Sequence, residues 1–332
     1  MADHVDTATS IAFLGDVMLG RGVNKLIGRQ SPEKFWGDLL TTLNEHDAVI
    51  ANLECAITNH PFQWSQTYKV FHFGARPAAV DVLRAADIQC VNLANNHILD
   101  FDYQGLYDTL DHLDQAGIQR TGAGRNEKQA MQPAVFNIAG LRLGVIGLTD
   151  NEPPFAAEED RPGTNHVSLS RPEPAWQRLE QSINIARKQG AEFIVLSLHW
   201  GPNMVEFPPE HFKRFAYGAI ERGIDLIHGH SAHVLQGVEV FDNGLILYDT
   251  GDTLDDYAIN ADLRNDWSML FSIEFHNGRM TRLNMQPLQL HYAQVNLATD
   301  YEFTQICDCM QRRCEPFGMS FQPTDYGLTI DL

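Results

Sequence analysis

Five times along the chain a short apolar run, rich in β-branched residues, stops at a side chain able to bind a metal ion. Ile11-Ala12-Phe13-Leu14-Gly15 stops at Asp16, and Ala48-Val49-Ile50-Ala51-Asn52-Leu53 stops at Glu54. Cys90-Val91-Asn92-Leu93-Ala94 leads into Asn95-Asn96-His97, and Phe193-Ile194-Val195-Leu196-Ser197-Leu198 stops at His199. Ile224-Asp225-Leu226-Ile227 runs into His228-Gly229-His230-Ser231-Ala232-His233. The run ends offer the carboxylates of Asp16 and Glu54, the amide oxygen of Asn96 and the imidazoles of His199, His230 and His233. That inventory suits a dinuclear centre, where a bridging carboxylate, further oxygen donors and several imidazoles hold two cations about a water or hydroxide. Any one of these residues alone reads as a turn residue or a helix cap. Their recurrence at the ends of successive runs reads as a site. His97 cannot readily share the coordination direction of Asn96 beside it, so it reads as an acid or transition-state donor, with Asp100 placed to orient its ring. Asp100 also reads as a helix cap, and His228 as a buried histidine at a strand end.

To bring these residues together the runs must be buried strands, since open α/β sheets place ligands just past the carboxyl ends of their strands. Helical stretches lie between them. Ser31-Pro32-Glu33 supplies a cap, a proline at the first helical position and an acidic first turn, predicting a helix to about residue 44. Gln104 to Ala116, with Leu106, Leu110 and Leu113 on one face, is closed by Gly117. Arg171 to Gln189 and Pro209 to Arg222 are closed by Gly190 and Gly223, where a helix end favours a left-handed residue. Beyond His233, Val238–Phe241 and Leu245–Tyr248 flank Asp242-Asn243-Gly244 as a hairpin, with more strands at about 268–276 and 279–287. A last helix near 300–316 precedes an irregular tail. The proline-containing, acidic stretch 151–170 reads as a surface excursion or lid and not a linker, because candidate ligands lie on both sides of it. The expected organisation is one domain over 1–332.

The composition agrees. Of 332 residues, 44% are hydrophobic, which provides a packed core and excludes disorder and disulfide-stapled miniproteins. With 24 Lys+Arg against 43 Asp+Glu the formal net charge is −19, which repels nucleic acid and anionic membranes. No run reaches the length of a membrane-spanning helix. Met1 to Thr7 carries no basic and apolar leader pattern, so the expected compartment is the cytoplasm. The five cysteines read as reduced thiols, and Cys307, Cys309 and Cys314 match no zinc spacing. No internal repeat is evident.

Gly15-Asp16-Val17-Met18-Leu19-Gly20-Arg21, Asn52-Leu53-Glu54, Ala94-Asn95-Asn96-His97-Ile98-Leu99-Asp100, His199-Trp200-Gly201, Gly229-His230-Ser231-Ala232-His233 and Tyr248-Asp249-Thr250-Gly251-Asp252 together strongly resemble the CapA family of poly-γ-glutamate capsule-biosynthesis proteins. The resemblance covers nearly the whole chain. It implies a branch of the calcineurin-like metallophosphoesterases, an α/β (α+β) fold in which two mixed sheets are flanked by helices in a four-layer αββα sandwich. It further implies that Glu54 bridges two divalent ions, Mn, Fe or Zn, with Asn96, His199 and His230 on one and Asp16 and His233 on the other. His97 becomes the catalytic histidine. Where that superfamily has Asp-x-His in its first motif this chain has Met18, a thioether and a poor ligand for such ions.

Four residues are candidates for substrate contact. Arg21 could pair a phosphate or carboxylate in bidentate fashion or form a surface salt bridge. Lys69 and Arg76 flank Val70-Phe71-His72-Phe73, and Trp200 could pack over the site or in the core. The leading expectation is a metal-dependent hydrolase of phosphoesters or of γ-glutamyl or peptide substrates. A non-hydrolytic assembly or binding component for the capsule polymer and a metal-dependent peptide epimerase are the alternatives. A polyanionic polymer could approach so acidic a protein only at a locally positive site, which cations and Arg21 would provide.

Overall fold

The computed structural model describes residues 8–170 and 172–332. Met1–Thr7, where the leader pattern was sought, and Arg171, the expected first residue of a helix, lie outside the described residues.

The apolar runs form strands whose side chains are buried on both faces. Ala8–Val17 (β1), Ala48–Leu53 (β2) and Ile88–Asn92 (β3) lie side by side and parallel. Leu141–Thr149 (β4), Phe193–His199 (β5), Leu226–His230 (β6) and Gly244–Leu247 (β7) make a second parallel set. Each set is completed by antiparallel strands. Asp252–Leu254 (β8) runs parallel to the end of β1, with Asp16 opposite Asp252. Trp267–His276 (β9) and Arg279–His291 (β10) extend the first sheet in antiparallel fashion. Both sheets are therefore mixed.

Three apolar clusters define the layers. Ile11, Phe13 and Ile50 from the first sheet meet Leu143, Val195 and Leu245 from the second. On the outer face of the first sheet, Leu14, Val49 and Val91 pack against Arg21–Leu26 (α1), Ala79–Ala85 (α2) and Asp102–Ala116 (α3) through Val23, Leu83 and Leu106. On the outer face of the second, Ile146, Ile194 and Ile227 meet Pro172–Lys188 (α4) and Glu210–Glu221 (α5) through Leu179, Phe215 and Ala219. The order helix, sheet, sheet, helix is the four-layer sandwich the sequence led us to expect. The two sheets are also joined by a polar bond: the His228 ring on β6 sets Nε2 2.9 Å from the carbonyl oxygen of Leu14 on β1.

The local differences have physical causes. The helix expected from Ser31 to residue 44 is broken into a 3₁₀ turn at Pro32–Phe35 and a short helix at Leu39–Leu43. Gly37 between them sits at φ +52, and a Cβ there would meet the Asn296 side chain at 2.1 Å. The close approach of a neighbouring strand, invisible to helical spacing, decides the break. The tail expected to be irregular forms a hairpin, Gln322–Thr324 with Gly327–Asp331, that adds to the first sheet beside β10. Its first strand is exposed and its second buries only Gly327 and Leu328, so the hairpin carries no apolar run long enough to announce a strand. The stretch 151–170 is anchored and not a free lid: Gly163–Thr164 pairs with Ala123–Gly124, and Phe155 is buried against Trp64.

Gly15 lets β1 and β8 lie together at the rim, because a Cβ on it would meet the Gly251 carbonyl oxygen at 1.9 Å. Gly15→Ala is expected to cost about 3 kcal/mol or more through overpacking, read as a lower urea midpoint.

Candidate metal centre

The carboxyl ends of β1, β2, β3, β5 and β6 open on one rim, and the donor side chains converge there. His199 and His230 are register partners on adjacent strands, so their rings stand abreast. Their Nδ1 atoms are 3.0 Å apart, and each is 3.7 Å from Asp16 Oδ1. A second group contains Asp16, Glu54, His233 and Asp252, in which one donor atom from each lies within 4.8 Å of the others. His233 Nδ1 is 2.8 Å from Asp252 Oδ1 and 3.5 Å from Asp16 Oδ2, while its Nε2 is 3.9 Å from Glu54 Oε1. Asp16 belongs to both groups. Asn96 joins the first through Oδ1, 2.9 Å from His199 Nε2.

Whether these residues suit cations can be judged from the oxygens themselves. Asp16 Oδ2, Glu54 Oε1 and Asp252 Oδ2 are buried and have no hydrogen-bond partner. Unpaired buried carboxylate oxygens are costly, and a divalent ion with mixed oxygen and nitrogen ligands satisfies them. The donor set fits.

Hydrogen bonds fix how the donors present themselves. With His228 donating from Nε2 to Leu14, its Nδ1 accepts from Ser197 Oγ at 3.2 Å, which leaves Ser197 Oγ to accept from His230 Nε2 at 3.0 Å. This chain assigns the tautomer of His230 and turns its Nδ1 lone pair toward Asp16. Asn52 Nδ2 donates to Asp16 Oδ1 at 2.7 Å, and Asn52 Oδ1 accepts from Asn92 at 2.8 Å and Asn95 at 3.2 Å. On the far side, Asp249 accepts the backbone N–H groups of Ala232 and Gly251, pinning a turn in which Ser231 and His233 hold φ of +116 and +58.

His97 lies outside both groups. Its Nε2 is 3.8 Å from Glu54 Oε1, its Nδ1 is 2.6 Å from Asp100 Oδ2, and its ring stacks on Phe73 at 3.9 Å. Asp100 does not cap α3 with its side chain; it also accepts the Phe73 N–H at 2.6 Å. Lys69 is buried beside it, donating to the Asn96 carbonyl at 2.7 Å with Asp100 Oδ1 at 3.4 Å, so its ammonium braces the loop and is not free for substrate. Arg76 turns to Asn24 and is exposed. Trp200 is buried between Phe212 and Tyr248 in the helix-side core, donating to the Tyr248 carbonyl at 2.9 Å. Arg21 is 40% exposed, pairs with Asp256 at 3.3 Å and lies 5.8 Å from the rings of both Phe73 and Tyr257. Met18 is fully buried, and its sulfur accepts the Gly20 N–H at 3.0 Å.

Three features escaped the sequence reading. Asp252 lies in the quoted Tyr248–Asp252 motif but received no role. Asn52 and Asn92 were visible as polar residues inside apolar runs. Tyr257, whose hydroxyl donates to Glu54 Oε2 at 3.3 Å, had no signal beyond being aromatic.

At this point a four-layer α/β protein with a buried carboxylate and imidazole centre at one rim is defined. A family model described as bacterial capsule synthesis protein PGA_cap matches residues 10–257, and the chain belongs to that family. It is 29% identical to a probable polyglutamine synthesis accessory protein of Mycobacterium tuberculosis strain H37Rv, over 96% of this chain and 94% of that one. Similarity extends to the capsule biosynthesis protein CapA of Bacillus anthracis, 28% identical over 73% of this chain and 58% of that one. The PGA biosynthesis protein CapA of Bacillus subtilis is 27% identical over 87% and 74%. The crystal structure of TT1561 of Thermus thermophilus aligns over 80% of this chain and 94% of that one at 11% identity with a TM-score of 0.41, too distant to add to the layer order. No helix among the described residues is long and apolar enough to cross a membrane.

Burial dominates the ionisation of the rim. It raises Asp16, Glu54 and Asp252 well above the usual carboxyl range, and Asp100 and Asp249 to about 7. It lowers His97, His199 and His230 well below 6.5, and His228 to about 4. Burial also opposes charge on His233, but Glu54 and Asp16 beside it outweigh that and raise it. A histidine held neutral weakens the fold only below its ordinary 6.5, where the unfolded chain takes up a proton. A raised carboxyl, or the raised His233, stabilises at low pH and loses that contribution as pH climbs through its folded value. Above 6.5 the depressed histidines are silent and the raised groups act alone. The thermal midpoint of chelator-treated protein is therefore expected to fall between pH 6.5 and about pH 8. A midpoint rising over that interval would contradict the assignment.

Proposed function

We propose that this chain is a metal-dependent hydrolase working as one unit, with a γ-glutamyl or related peptide amide as the bond it cleaves. The observation that carries the proposal is the set of partnerless buried oxygens on Asp16, Glu54 and Asp252 among imidazoles. Asp16, Glu54, Asn96, His199, His230 and His233 would hold one or two divalent ions. Bound there, such ions polarise the scissile carbonyl or phosphoryl group and acidify a water.

The remaining work belongs to the chain. His97 rests neutral, with Asp100 holding Nδ1, so its Nε2 can accept a proton and return it to the leaving group. Lys69 keeps that pair in place by donating to the carbonyl of Asn96 and forming an ion pair with Asp100. Phe73 covers the ring and excludes water from one face. Arg21, half-exposed between two aromatic rings, would exchange Asp256 for a substrate carboxylate and so admit an anionic polymer to an acidic protein. The names of the relatives favour a capsule polymer as substrate, and they equally fit a role in assembling it without hydrolysis. A phosphoester is the other bond such a site would cleave.

Incubating metal-loaded protein with a γ-glutamyl peptide and an aryl phosphate separates these readings. Gain of one water in the peptide product supports amide hydrolysis, and release of phosphate alone moves the activity to phosphoesters. An unchanged mass with altered stereochemistry indicates epimerisation, and no turnover with metal bound leaves the assembly role. His97→Ala should keep its metal content while turnover falls about 10²- to 10⁴-fold; loss of metal would make His97 a ligand instead.

A further inference from the structure

We propose that Asp252 is itself a metal ligand and that it makes the Asp16, Glu54 and His233 group an oxygen-rich site, chemically unlike its neighbour. The proposal rests on the metal-dependent reading above and sharpens it. Asp252 is the register partner of Asp16 on the parallel strand beside it, so the two carboxylates point from the same rim without intervening chain. It is fully buried. Its Oδ1 stands 2.8 Å from His233 Nδ1, which itself stands 3.5 Å from Asp16 Oδ2, separations that donors around one ion adopt. Its other oxygen, Oδ2, has no hydrogen-bond partner, as is also true of Asp16 Oδ2 and Glu54 Oε1. A carboxylate that served only to orient His233 would need one oxygen, and the side chain beside the other is Asp255, a second acid that can satisfy it only while one of the two holds a proton.

The donors then divide unequally. The group of His199 and His230 offers two imidazoles, a shared carboxylate and the Asn96 amide. The Asp252 group offers three carboxylates and one imidazole. Carboxylate oxygens suit harder ions such as Mn²⁺, whereas imidazoles favour Zn²⁺ and its neighbours. The second site should therefore discriminate less strongly for Zn²⁺ over Mn²⁺ than the first.

Equilibrium dialysis with Mn²⁺ or Zn²⁺ alone, followed by elemental analysis and Mn²⁺ electron paramagnetic resonance, tests this without reference to turnover. Wild-type protein is expected to take up two equivalents. Asp252→Asn keeps the size of the side chain and an oxygen able to accept the His233 N–H, so an orienting role would survive it. A ligand role would not: affinity for the second equivalent should drop more than about a hundredfold, beyond what loss of an orienting partner causes. Asp252→His should restore two equivalents and raise the Zn²⁺ to Mn²⁺ affinity ratio at the second site about tenfold. Near-ultraviolet circular dichroism of the metal-free variants checks the fold, and Asp252→His decides the matter should Asp252→Asn not fold. Retention of both equivalents by Asp252→Asn, an unchanged ratio in Asp252→His, or a wild type lacking a second equivalent would each overturn the proposal. Two ions bound by the wild type with no hydrolysis would instead count against the hydrolase alone.

Discussion

The molecule is organised around the cost of keeping carboxylates dry. Asp16, Glu54 and Asp252 are withdrawn from water, and each retains an oxygen with nothing to bond. Such groups remain in a fold only if the surroundings hold them there and something answers their charge. The holding is visible in Asn52 on Asp16, Tyr257 on Glu54 and His233 on Asp252. His199 and His230 complete the shell as imidazoles whose protonation burial opposes, whereas the acids beside His233 favour its charge.

The strands explain why these groups meet. A parallel sheet buried on both faces admits polar side chains mainly where a strand ends, so its apolar runs bring their polar terminators to a common rim. This is why so much of the centre was legible. Asp16, Glu54, Asn96, His199, His230 and His233 each follow or close an apolar run, and all six are brought within a few ångströms of one another or of a shared neighbour. Asp252 was not legible in the same way, because it opens a strand instead of closing one, four residues past the end of the apolar run Leu245–Tyr248. The Asn92, Asn52 and Asp16 ladder was hidden for another reason: pairing across strands is a property of register, which no single run contains.

Where sequence reading failed on the fold, long-range contacts overrode local pattern. Spacing alone favoured a continuous helix after Ser31, yet the strand near Val295 comes so close to Gly37 that the backbone must turn. Lys69 and Trp200 carried side chains suited to substrate contact, and both are committed elsewhere, one to Asp100 and the other to the core. A residue type states what chemistry is possible, and burial states whether that group is available for it.

The bond between His228 and the Leu14 carbonyl has a mechanical meaning. Asp16 and Glu54 ride on one sheet, His199 and His230 on the other, so the candidate centre is a joint between two plates rather than a pocket cut into one. Any sliding of the plates would change its bite before it changed anything else. The histidine bond, linked to His230 through Ser197, acts as a dowel against that shear.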